Sequence, residues 1–270
     1  YTKELGIRNL ERKIEEIIKK IITEFVVYKN VKNKYYVTEN IVSLYLGKPL
    51  YEKRSNISKN LIGTANAIAY TTYGGDVLPI EATYFKGSGK IILTGTLGEV
   101  LKESALISLS YLRSNADKFK INIDMNSNDI HIHIPNADEK KDGPSAGITI
   151  TTALLSIFTK TKINNKYAFT GEMTLSGKIL PVGKIKEKVI AAYRNNIQII
   201  FVPKENKQDI ESLPKEIINK IKFMYVDDYK EIYNYLVGEK SGKNNRRKRI
   251  QNTAISRNAF GKRDTNKQNN

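Results

Sequence analysis

Apolar residues recur every three or four positions at the start of the chain, at Leu10, Ile14, Ile17, Ile18, Ile21 and Ile22. Charged residues fill the other positions, so residues 1–28 predict an amphipathic helix. A polar stretch follows, and then Glu39–Leu46 predicts a short helix capped by Thr38. Residues 50–60 are charged and polar without a period and read as a linker. From Leu61 the pattern changes. Ala65–Thr72, Val77–Phe85 and Lys90–Thr94 predict strands, separated by turns at Gly74-Gly75-Asp76 and Lys86-Gly87-Ser88-Gly89. Leu97–Ala116 predicts a helix and Ile130–Ile134 an alternating strand. Pro144–Thr159 is apolar throughout, and its length and Asp142-Gly143-Pro144 start favour a helix. Ala168–Phe169 and Lys178–Leu180 read as short strands around a turn. Ile185–Tyr193 reads as a helix and Ile197–Val202 as a buried strand, with further helices at Lys207–Leu213 and Tyr229–Val237. This mixture predicts an α+β or mixed α/β fold. No repeat of twenty to fifty residues is visible.

Composition narrows the picture in three places. The chain has 270 residues and is 40% hydrophobic, enough for a packed core in one large or two modest domains. No run of eighteen apolar residues predicts a membrane span, and Tyr1–Leu10 lacks the character of a signal or transit peptide. With no cysteine, disulfides, thiol nucleophiles and cysteine metal sites are excluded. The formal net charge of +17 raises a nucleic-acid reading, but residues 239–270 carry ten Lys or Arg against two acids, about half the excess. That segment includes Arg246-Arg247-Lys248-Arg249, lacks apolar density and is expected to be a disordered basic tail.

The most unusual local sequence is Lys141-Asp142-Gly143-Pro144-Ser145-Ala146-Gly147. Gly143 and Pro144 dictate a turn, and small Ala146 and Gly147 leave room around Ser145. At the start of a helix, free N–H groups and the helix dipole suit an oxyanion. The other reading is a capping serine in a tight turn. A nucleophilic serine needs a base. His131 and His133, the only two histidines, lie two apart on a strand and face the same way. Either could serve a triad, the pair could join an acid in a metal site, or both could be polar strand-face residues. No third or fourth ligand is suitably spaced for a metal. A lysine can act instead if burial lowers its pKa. On the helix after Gly183, Ile185, Val189 and Ala192 form an apolar stripe, and Lys188 falls near its centre while Lys186 and Glu187 point away. Snorkelling would also account for Lys188.

These residues, together with Thr170-Gly171-Glu172-Met173-Thr174-Leu175, Gly177-Lys178-Ile179-Leu180-Pro181-Val182-Gly183 and Lys186-Glu187-Lys188, resemble the proteolytic domain of the Lon family. Tyr70–Glu81, Thr94–Val100 with Glu103-Ser104, Asp129–Pro135 and Pro203–Lys207 extend the likeness over about residues 61–238. Residues 1–49 resemble the small helical domain of the family's AAA+ ATPase, through Tyr1–Arg12. The resemblance implies Ser145 as nucleophile, Lys188 as base and Thr170 as the hydrogen-bond partner of that lysine. It gives Asp142 a positioning or gating role, places Glu81, His131 and His133 near the site, and makes Arg8 the arginine that senses nucleotide phosphate. It also implies ATP-driven cleavage of unfolded, damaged or short-lived regulatory proteins in a hexamer, in bacterial cytoplasm or alternatively mitochondrial matrix. Peptide hydrolysis itself would need no cofactor, while ATP and Mg would serve the full-length protein.

No phosphate-binding Gly-x-x-x-x-Gly-Lys-Ser/Thr occurs; Gly87-Ser88-Gly89-Lys90 fails its spacing, so the chain reads as a C-terminal fragment. Two departures stand out. Lys184 occupies the second position of the family's paired glycines, and Pro135–Gly143 has lost a glycine and a proline and gained charge. A basic module binding DNA, and an inactive scaffold of the same fold, are the rival readings.

Overall fold

The computed structural model describes residues 1, 2, 4, 6–28, 34–50, 60–71, 74–135 and 141–237. Helix α1, Arg8–Tyr28, bears the predicted stripe. Its first turn is capped by the Glu4 carboxylate, which accepts from the Asn9 and Leu10 amides at 3.0 and 2.9 Å. Helix α2, Glu39–Leu46, begins at Thr38, whose hydroxyl accepts from the Ile41 amide. The two helices are tied together: the Tyr1 hydroxyl donates to the Gly47 carbonyl at 2.7 Å and the Lys20 ammonium to the Tyr45 carbonyl. Leu10, Ile14, Ile18 and Ile22 remain exposed on α1. The expected linker falls on 51–59 and the expected tail on 238–270, both outside the described residues.

From Thr64 onward the chain builds a seven-stranded sheet in the order β3-β4-β2-β1-β5-β8-β9. The strands are β1 Thr64–Thr71, β2 Gly74–Lys86, β3 Ile91–Thr94, β4 Asn128–His133, β5 Tyr167–Phe169, β8 Ile199–Pro203 and β9 Lys222–Val226. Only β2 is antiparallel to its neighbours β1 and β4; every other pairing is parallel. Six strands therefore point one way.

Alternation sends the two strand faces into two cores. Ala65, Ala67, Ile80, Ile130, Ile132, Phe169 and Phe201 pack with helices α3, Glu99–Ser114, and α4, Gly147–Thr159. Ile68, Val77, Ala168, Ile200 and Val202 pack with α5, Ile185–Arg194, α6, Lys207–Glu211, and α7, Lys215–Lys220. Residues 229–237, helix α8, return Tyr229, Ile232 and Leu236 to the first core. Sheets with helices on both faces carry strands buried on both sides, as β5 and β8 are here.

Helix α4 is buried from Gly147 through Phe158. Its hydroxyls find partners without water. Thr151 and Thr152 donate to the Gly147 and Ile148 carbonyls at 2.9 and 2.7 Å, and Thr149 donates to the Phe169 carbonyl at 3.0 Å.

Three sequence expectations change. Tyr167–Phe169 joins the main sheet, and Ile179–Leu180 (β7) instead pairs antiparallel with the unforeseen Glu172–Met173 (β6) in a separate hairpin. Helix α7 and strand β9 had no counterpart in the pattern, because one is six residues long and the other is only partly buried. The apolar run 144–159 opens with a 3₁₀ turn, Pro144–Ala146, before the α-helix begins at Gly147.

Candidate active site

Two structural features converge on Thr170. The first is the serine turn. Gly143 sits at φ 113°, a region open to glycine, and Pro144 starts the 3₁₀ turn that carries Ser145. Ser145 thus precedes α4 by a turn of its own, rather than occupying the α-helical N-terminus that its sequence suggested. The turn is anchored through its backbone: the Ser145 carbonyl accepts from the Gly171 amide at 2.9 Å and from the Thr170 hydroxyl at 3.4 Å. The Ile148 amide donates back to the Gly171 carbonyl at 3.3 Å. Ser145 itself is half-buried.

The second is α5. Its apolar residues Ile185, Val189 and Ala192 enter the second core, and Lys188 goes in with them, only 3% exposed. The helix lies close against β1 and β2. Gly75 makes this possible: a Cβ there would stand 2.1 Å from the Glu187 carbonyl oxygen and 2.9 Å from the Ala191 Cβ. The Lys188 amine donates to the Thr170 hydroxyl at 3.2 Å. Burial disfavours the ammonium form and pulls the Lys188 pKa from 10.5 down to about 8. Thr170, fully buried, thereby touches the amine on one side and the serine backbone on the other.

The remaining expected residues are placed nearby or elsewhere. The Asp142 carboxylate accepts from the Leu101 amide at 3.1 Å and the Gly143 amide at 2.9 Å. It therefore caps the first turn of α3 from outside the helix and holds the approach to the serine turn. Gly98 leaves the space, since a Cβ would meet Asp142 Cγ at 2.1 Å. His131 and His133 share one face of β4, and the Thr94 hydroxyl bridges them, 2.9 Å from His131 Nε2 and 2.7 Å from His133 Nδ1. Glu81 lies opposite His133 in the β2–β4 register. Glu81, His133 and Thr94 thus lie in one row across β2, β4 and β3, and both histidines hydrogen-bond to Thr94. The position of Thr94 in the sequence gives no sign of this bridging role.

Arg8 is exposed on the first turn of α1. Gly87-Ser88-Gly89-Lys90 has its anion already: the Ser88 and Lys90 amides donate to Asp129 Oδ1 at 2.7 and 2.9 Å. The Lys90 amide, then the Ser88 amide, hold the Asp129 carboxyl below its usual range. Among the described residues, no group of three or more His, Cys, Asp or Glu could hold a metal ion. No described helix is long and apolar enough to cross a membrane. Residues 136–140, in the altered loop before the serine turn, lie outside the described residues. Lys184 does adopt the left-handed conformation that the family glycine suggested, at φ 58° and ψ 35°.

Comparison with known proteins gives consistent matches. Residues 36–239 match the model of the Lon protease (S16) C-terminal proteolytic domain, and residues 1–35 that of the Lon protease AAA+ ATPase lid domain. The chain is 45% identical over 234 residues to the Lon protease of Aster yellows witches'-broom phytoplasma, covering 86% of this chain and 29% of that protein. It is 44% identical over 240 residues to that of Clostridium acetobutylicum, covering 88% and 31%. Against that of Mycoplasma genitalium it is 41% identical over 237 residues, covering 87% and 30%. The chain thus spans about three tenths of the length of these curated relatives. With most of its residues in the proteolytic-domain model and its N-terminus in the lid model, the chain belongs to the Lon family of proteases.

Proposed function

We propose that the chain hydrolyses peptide bonds with Ser145 as nucleophile and Lys188 as general base. The observation that carries this reading is the buried Lys188 amine, its pKa down at about 8, hydrogen-bonded to the threonine that also holds the Ser145 backbone. At pH 8 roughly half of such an amine is neutral, against roughly 0.3% of an ordinary lysine. The neutral amine takes the Ser145 proton as the hydroxyl oxygen attacks the peptide carbonyl. Backbone N–H groups of the serine turn hold the oxyanion. Lys188 then passes the proton to the departing amine, and water attacks the acyl-enzyme with Lys188 again accepting a proton. Thr170 orients the amine, and Asp142 fixes the approach to the turn through α3. Glu81, His131 and His133 shape the neighbouring sheet surface.

In the full-length protein we assign this chemistry to an ATP-dependent hexamer that degrades unfolded or damaged proteins in the bacterial cytoplasm. The lid match, the bacterial relatives and their greater length support that assignment. Arg8 would be this chain's contribution to nucleotide sensing. Residues 1–35 would belong with the lid, whose other helices would cover Leu10, Ile14, Ile18 and Ile22; the proteolytic domain would begin at about residue 36, where its family match starts, rather than after the expected boundary at 49. The test is labelling by a serine-reactive peptide warhead. The native protein is expected to be labelled at Ser145, Lys188→Gln to label at a small fraction of that rate, and Ser145→Ala not at all. Undiminished casein cleavage by Ser145→Ala would end the proposal.

A further inference from the structure

Lys184 is held in a left-handed conformation that a lysine gains nothing from locally. Its carbonyl accepts from the Lys188 amide at 3.1 Å, so it leads the candidate base by one turn of α5. Its ammonium lies 5.4 Å from the centroid of the Tyr70 ring. Tyr70 is opposite Gly75 in the β1–β2 ladder, and Gly75 is the point where α5 meets the sheet. β1 also runs parallel to β5, whose end leads directly into Thr170. Lysine and ring are both exposed, and among the described residues no carboxylate pairs with Lys184. The ring directs the ammonium without neutralising it. A cation with no carboxylate partner among the described residues therefore stands over Tyr70, one turn of α5 before Lys188.

We propose that Lys184, seated on Tyr70, is a specificity-determining residue that binds the side-chain carboxylate of an Asp or Glu flanking the scissile bond. This inference rests on the Ser145–Lys188 reading. The preferred substrates are then acidic segments of unfolded chains, and the preference is absent where a glycine occupies this position. A solvent-facing ion pair gives roughly a two- to fivefold effect.

The experiment compares kcat/KM of the intact protein on peptides blocked at both ends, so that no terminal carboxylate competes. They carry Glu, Gln or Lys beside a single cleavage site. Glu is expected to be favoured over Gln by that factor, and high salt to erase the difference. Lys184→Gln and Lys184→Gly should bring the ratio to one, and Lys184→Glu should reverse it. Glycine is at ease at this backbone position, so misfolding would not explain its loss of preference. Lys186→Gln, one residue along and exposed, should leave the ratio intact. The inference fails if the native protein shows no preference for Glu. It also fails if the ratio survives Lys184→Gln, or if Lys186→Gln lowers it equally, since a diffuse basic field would then be responsible. Cleavage by Ser145→Ala would instead remove the reading beneath it.

Discussion

At the scale of single residues, Lys188 carries opposite consequences for stability and for chemistry. Its pKa is about 8 in the fold and 10.5 in its ordinary state. Below pH 8 both forms of the chain hold the proton, and the folded form holds it at a disfavoured site. Between pH 8 and 10.5 the unfolded chain binds more protons, so stability rises with pH across that window. The penalty below it is on the order of 3 kcal/mol. Lys188→Met should therefore melt at a higher temperature than the native protein at pH 7, with the gap closing toward pH 10.5. Over the same range kcat/KM of the native protein should rise along a limb centred near pH 8. Thermal melts and rate profiles across pH 6–10 measure both; a Lys188→Met variant less stable at pH 7 would contradict the burial cost. This residue was legible in the sequence, since the spacing of Ile185, Val189 and Ala192 already put Lys188 on the inward side. Its hydrogen-bond partner was legible only through family likeness. Eighteen residues separate Thr170 from Lys188, and no periodicity relates a strand end to a later helix.

At the scale of elements, the site depends on how closely α5 approaches the β1–β2 ladder. Gly75 fixes that approach. Gly75→Ala would set a methyl against the Glu187 carbonyl, the residue beside Lys188, and no flexible side chain can yield there. The expected result is a loss of about 1–3 kcal/mol in stability. Peptidase activity should fall on the order of tenfold or more, because the amine moves with its helix. Denaturant melts paired with kcat/KM check this; a fully active Gly75→Ala would show that α5 can move without consequence. Long elements with clear periods, such as α3 and β2, were readable to within a few residues, whereas the helix expected over 1–28 starts only at Arg8, just before its apolar period begins. The serine turn was not, because a 3₁₀ turn and the first turn of an α-helix share the same Gly-Pro opening. Strand β6 is two residues long and exists through its pairing with β7, which no local pattern encodes.

At the scale of the whole molecule, strand order decides what can meet. The chain builds β1 and β2, moves outward to β3 and β4, then returns to place β5, β8 and β9 on the other side of β1. Ser145 and Thr170 belong to connections on the far side of that return, while Gly75 and Tyr70 come from its beginning. Class and approximate content followed from sequence, but this order depends on pairings between distant segments and lay beyond it. The apolar stripe of α1 was equally clear from sequence, yet whether it would be buried was not; here Ile17 and Ile21 are half-buried while Leu10, Ile14, Ile18 and Ile22 stay exposed.

One part of this arrangement has a consequence for endurance. Because α4 is enclosed on all sides and its buried hydroxyls are all hydrogen-bonded, it cannot loosen without dismantling the larger core. Its amides should be the slowest in the domain to exchange with deuterium, opening only with global unfolding. The turn bearing Ser145 is spliced directly onto this helix. Heating should therefore leave the cradle of the proposed nucleophile intact until the domain melts as a unit, with residual activity and circular dichroism falling at one temperature. A protease silenced well below its melting point would mean that its catalytic floor lies elsewhere.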